Sequence, residues 1–211
     1  MNARVLPPTL LALTPGTLGA GDARAAAELV QRVRAAVDGG LAGVLLREPG
    51  LADGELLALA RELRERFGEL WLGLHDRPHL ARAADVRAVH LGGRSLPPRA
   101  VRPWLPAEIA IGLSTHADDE AADWDGADYL FHGPVHPTPK PRPRAPVGPA
   151  GLARAVDRAV VGVWGLGGIG PEQVAEVLKA GARGVAVLSG ILPAADPRAA
   201  AQRYAAAAAG R

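Results

Sequence analysis

Gly184-Val185-Ala186-Val187-Leu188-Ser189-Gly190 and, upstream, Val161-Gly162-Val163-Trp164-Gly165-Leu166-Gly167-Gly168-Ile169 decide the fold of this chain. Each is an apolar run of strand length that ends in small residues just before a helical pattern. Two late buried strands ending this way make the phosphate cradle of a (β/α)8 barrel. Small residues let backbone N–H groups approach an anion, and a following helix N-terminus adds favourable dipole charge. The expectation is a chain that handles a small phosphorylated molecule, held by Gly167, Gly168, Ser189 and Gly190.

Working outward, apolar runs alternate with amphipathic segments along the whole chain. Strands are expected at 10–14, 42–47, 70–75, 88–91, 108–114, 127–132, 160–166 and 184–188. Helices are expected at 24–38, 53–67, 78–84, 97–104, 118–124, 149–159, 171–180 and 196–208. Strands apolar on both faces, each followed by a helix, imply a parallel sheet covered by helices. Eight regular units in 211 residues favour a single-domain TIM barrel over an open doubly wound sheet. The GxGxxG match at Gly165–Gly170 comes late and lacks an acidic residue at the ribose-binding distance, so a phosphate loop explains it equally well.

Composition narrows the function class. The 24 Lys and Arg residues are offset by 22 acids for a net charge of +2, with no long basic run, which argues against nucleic-acid binding. No apolar run approaches the roughly 20 residues that span a bilayer, and residues 1–4 lead into a short strand rather than a signal-peptide core. The absence of cysteine excludes disulfides and thiol chemistry and fits a cytoplasmic protein. One connection stands apart: residues 133–148 hold six prolines and two arginines. A connection that long in a compact domain reads as an active-site loop.

In this fold the chemistry lies at strand ends. There the sequence places Arg47-Glu48, His75-Asp76-Arg77, Gly92-Gly93, Ser114-Thr115-His116, His132-Gly133, Gly167-Gly168 and Ser189-Gly190. His116 is the candidate for proton transfer, because imidazole both accepts and returns a proton near neutral pH. Arg47 suits a two-point grip on a carboxylate or phosphate, or pairs with Glu48 or Asp76. Asp76 could bind a metal, orient Arg47 or act as a base. His75, His132 and His136 are secondary candidates, and His79 and His90 read as structural. The histidines have no metal-ligand spacing.

Taken together, Leu46-Arg47-Glu48, His75-Asp76-Arg77, Val89-His90-Leu91-Gly92, Ser114-Thr115-His116, Ala127-Asp128-Tyr129, Gly133-Pro134-Val135, Gly167-Gly168-Ile169 and Val187-Leu188-Ser189-Gly190-Ile191 resemble, in order and spacing, the thiamine phosphate synthase superfamily, which also holds the TenI-type thiazole tautomerases. The resemblance implies a barrel that binds a thiazole phosphate at the late-strand cradle, with Ser114, Thr138 and Lys140 joining Arg47 and Asp76 around the substrate. It also implies a homodimer.

The departures from the family pattern bear on which reaction is run. A synthase joins a pyrimidine diphosphate to the thiazole phosphate and expels diphosphate with magnesium's help. Its Gln-x-Arg-Glu-Lys motif has Leu45 and Pro49 here, its Asn-Asp-Arg reads His75-Asp76-Arg77, and its second magnesium-binding Asp falls on Ser95. Thr138 matches the Pro-Thr-Pro-Thr-Lys loop, whereas Lys140 aligns only when shifted by one. Arg94, Lys140, Arg142 and Arg144 are the cations left to offset a departing diphosphate. The resemblance therefore reads closer to the tautomerase, a metal- and cofactor-free isomerase in which His116 moves a proton while Arg47 orients the ring carboxylate. A magnesium-dependent synthase is the alternative reading, and a non-catalytic phosphate-binding regulatory barrel is another.

Overall fold

The computed structural model describes residues 4–119, 124–139 and 144–210. Eight parallel strands close into a barrel in sequence order: β1 (Leu10–Leu13), β2 (Gly43–Leu46), β3 (Trp71–His75), β4 (Ala88–Leu91), β5 (Ala110–Thr115), β6 (Tyr129–His132), β7 (Gly162–Leu166) and β8 (Gly184–Val187). β8 pairs back onto β1, Leu11 against Ala186, and this pairing is what an open sheet lacks. Every strand expected from the apolar runs is present, shortened by one or two residues at some ends.

Strand alternation splits the core in two. Residues pointing outward, such as Leu10, Val44, Leu72, Val89, Ile111, Leu130, Val163 and Val185, pack under the helices. Those pointing inward, Leu11, Leu13, Leu45, Trp71, Ala88, Ala110, Tyr129, Phe131, Trp164 and Ala186, fill the barrel. Bulk and absence of bulk are matched inside. The Tyr129 ring fills the space over Gly112, and Trp164 that over Gly184. Trp71 and Tyr129, and Tyr129 and Trp164, meet edge to face. The indole N–H groups of Trp71 and Trp164 donate to the carbonyls of Val5 and Pro8 at 2.9 and 2.8 Å. The N-terminal segment thereby caps the lower end of the barrel.

The helical layer is less regular than the periodicity implies. α1 (Ala23–Asp38) is capped by the Asp22 carboxylate, which accepts from Ala25 N–H, as a first-turn acceptor should. α2 (Asp53–Arg66) follows β2. After β3 there is no α-helix, only a 3₁₀ turn at Pro78–Leu80 and further turns. Asp76 and Arg77 both sit in the left-handed region, at φ 56° and 52°, so the chain leaves the strand already turned and has few residues in which to propagate a helix. After β4, α3 (Pro98–Val101) passes into a 3₁₀ turn at Arg102–Trp104. Most of the helix expected at 118–124 lies outside the described residues. α4 (Gly148–Arg158), α5 (Val174–Lys179) and α6 (Pro197–Ala209) complete the layer. None of the described helices is long and apolar enough to cross a membrane.

Candidate active site

The carboxyl ends of the strands surround a cavity of about 660 Å³, within the usual size of a small-molecule site. Arg47, Ser114, His116, Thr138, Gly167, Gly168 and Ser189 line it, as the strand-end reading expects, and so do His75 and His90. Gly190 lies behind the wall, against Tyr204. Asp76 belongs to the neighbouring loop rather than the wall, and Lys140 falls outside the described residues.

The expected anion cradle falls on the turns after β7 and β8. Gly167 and Gly168 have φ of 96° and 66°, values that glycine adopts without steric cost. Their bareness is also used. A methyl on Gly168 would come within 2.5 Å of the Pro137 carbonyl and 2.7 Å of the His136 carbonyl. Val135 and His136 N–H donate to the Leu166 and Gly167 carbonyls at 2.9 and 3.0 Å. The first half of the proline-rich loop is thus laced onto the cradle, which brings Thr138 and Pro139 to the cavity wall. None of the turn hydrogen bonds among the described residues engages the N–H of Gly168, Ile169, Ser189 or Gly190, leaving four backbone donors for an anion.

Arg47 leaves the end of β2 with its N–H on Thr14 Oγ1 at 2.8 Å, and its Nη1 would be 2.5 Å from a methyl on Gly16. It makes no ion pair with any described residue. Pairing with Glu48, one of the arrangements open from sequence, is not what forms. Glu48 is buried and accepts from Gly16 and Leu18 N–H at 3.0 and 2.9 Å. The carboxylate thus holds the turn after β1 beside the Arg47 guanidinium and does not pair with it.

Asp76 does not orient Arg47 either. It accepts from the Ser95 hydroxyl and, weakly, from Gly92 N–H at 3.5 Å; its other oxygen is 3.3 Å from His75 Nδ1. No group of three His, Asp or Glu among the described residues could hold a metal ion. Asp76 is the carboxylate at this point of the rim, its Oδ1 engaged by the Ser95 hydroxyl, so a magnesium ion here would rest on that carboxylate and on the substrate's own phosphate oxygens. Burial pushes the His75 pKa down, with Asp76 opposing and Arg47 assisting.

His116 follows β5, its N–H on Asp119 Oδ2 at 2.6 Å and its Nδ1 3.4 Å from the same oxygen. A carboxylate beside Nδ1 orients the ring. His90, read from sequence as structural, is buried, and its Nε2 lies 2.9 Å from Ser114 Oγ. Burial first, then His75, drives its pKa well down, so at neutral pH it is an uncharged partner for Ser114. Glu172, Gln173 and Tyr204 also line the cavity. They sit on the turn before α5 and on α6, away from the strand ends that drew the reading.

His132 faces outward from β6, buried, with Nδ1 2.9 Å from Thr115 Oγ1. Desolvation, and secondarily His116, lowers its pKa to about 4. The unfolded chain then binds a proton near pH 6.5 that the folded chain refuses until about pH 4, so stability falls as pH drops through that window. We expect a loss on the order of 2 kcal/mol, reduced from the full shift by residual solvent screening. Urea denaturation of wild type and His132→Gln at pH 7 and pH 4.5 measures it: the variant should show the smaller pH dependence.

A family profile described as thiamine monophosphate synthase (TMP-TENI) matches residues 18–191. A thiamine-phosphate synthase of Moorella thermoacetica is 39% identical over 180 residues, covering 82% of this chain and 85% of that protein. One from Streptomyces avermitilis is 39% identical over 84% and 86%. Among solved structures, a thiamine phosphate pyrophosphorylase from Pyrococcus furiosus superposes with a TM-score of 0.81 at 28% identity, covering 95% and 96% of the two chains. A 3-hexulose-6-phosphate synthase, at 19% identity and TM-score 0.70, shares the barrel. These names back the synthase reading, the alternative from sequence, better than the tautomerase placed first.

Proposed function

The chain belongs to the thiamine monophosphate synthase family, and from that premise we propose that it is a thiamine-phosphate synthase, a transferase that joins a pyrimidine diphosphate to a thiazole phosphate. What carries the reading is that relatives so named match at 39% identity over more than four-fifths of both chains. The family match over residues 18–191 runs from before β2 to beyond β8 and is not confined to the cradle. In the reaction the thiazole nitrogen forms a C–N bond to the pyrimidine methylene while the C–O bond to diphosphate breaks, its electron pair leaving on oxygen. The cradle N–H groups hold the thiazole phosphate. Arg47 meets the diphosphate with its unspent charge. His116, oriented by Asp119, donates a proton or hydrogen bond to the leaving oxygen.

A second reading is favoured by the Ser95 hydroxyl on Asp76. With that carboxylate occupied and no second one beside it, the equipment left intact is the cradle, Arg47 and His116. That set is sufficient for an isomerase aromatising a thiazole carboxylate phosphate by proton transfer. Purified protein given pyrimidine diphosphate and thiazole phosphate should release diphosphate and form thiamine phosphate with magnesium present and not without it. Isomerisation of the thiazole carboxylate phosphate without any coupling would replace the first reading by the second.

A further inference from the structure

One phenol touches both halves of the cradle. Tyr204, on α6, is 3% exposed. Its hydroxyl donates to the Ile169 carbonyl at 2.8 Å, in the turn after β7. On its other side it packs against Gly190, in the turn after β8, where a methyl would overlap the hydroxyl oxygen. The N–H of the same Ile169–Gly170 peptide, on Gly170, donates to Gln173 Oε1 at 2.7 Å. A peptide unit is planar, so fixing its carbonyl at one end and its N–H at the other fixes its rotation. The N–H groups of Gly168 and Ile169 just before it are then aimed as well.

We infer that Tyr204 is a positioning residue for phosphate: it clamps the Ile169–Gly170 peptide together with Gln173 and sets the spacing between the two turns that receive the anion. Rigid donors bind better than ones that must be ordered on binding, because the entropic cost has already been met during folding. Burial, with Glu172 adding to it, raises the Tyr204 pKa, so the hydroxyl remains a donor across the neutral range. The ring is the one aromatic side chain of an otherwise alanine-rich helix.

The inference rests on the reading of this rim as a phosphate site, and the test separates the two. Inorganic phosphate is titrated by calorimetry into wild type, Tyr204→Phe, Gln173→Ala and the double variant. Tyr204→Phe should bind phosphate about 10-fold more weakly while its circular-dichroism spectrum at the assay temperature matches wild type, and its KM for the phosphorylated thiazole should rise while kcat holds. The double variant should lose less than the product of the single losses, since both residues hold one peptide. Equal phosphate affinity in wild type and Tyr204→Phe, or fully multiplicative losses, overturns the clamp. Failure of wild type itself to bind phosphate overturns the cradle and the clamp together.

Discussion

Replacing His116 by Asn is expected to lower turnover by about 10²–10⁴, the span that a positioned acid–base group contributes, while phosphate affinity stays at the wild-type value. Asn retains a hydrogen-bonding side chain but cannot carry a proton at neutral pH. His116 lies at the end of β5, across the rim from the turns after β7 and β8, so the substitution leaves the anion donors in place. The Asp119 contact at 3.4 Å adds a control: Asp119→Asn should cost less, because Asp119 only orients the ring. Single-turnover kinetics at saturating substrate is the measurement. An unchanged rate in His116→Asn removes this histidine from the chemistry under either reaction.

The second large effect is expected from Gly168→Ala. At φ 66° an alanine carries backbone strain of roughly 1–3 kcal/mol, and its methyl would press on the carbonyls of His136 and Pro137. Relief requires the turn to swing away from the proline-rich loop. Phosphate affinity should then fall by about 10–100-fold, with kcat at saturation less affected and the barrel intact by circular dichroism. An affinity within twofold of wild type would show that the cradle does not depend on this turn.

The barrel was legible because its strands are buried on both faces. Runs such as Gly184–Val187 and Leu10–Leu13 have no polar side to confuse the reading. The connections after β3 and β4 were less so. Periodicity over 78–84 suggests a helix, but left-handed residues bracket that stretch, Asp76 and Arg77 before it and Asp85 after it, and composition does not announce such turns. At the site, Arg47, Ser114, His116 and the cradle glycines could be found because strand ends are where this fold does its work. Tyr204, Gln173 and Glu172 could not: they reach the cavity from helical segments, and their place depends on how those segments pack. The aromatic in an alanine-rich helix was the available signal. The partners of Glu48 and Asp76 depend on strand adjacency, since Ser95 and Gly16 come from other loops. The proximity of Glu48 to Arg47 in sequence therefore misled.

The two indoles bonded to the N-terminal segment have a kinetic consequence. With that segment bonded across one end and side chains filling the barrel between, the strand-end mouth is where the described cavity meets reactants and products. Whatever is released last blocks the next arrival, so end-product should compete with the first substrate to bind and not merely slow the enzyme from a distance.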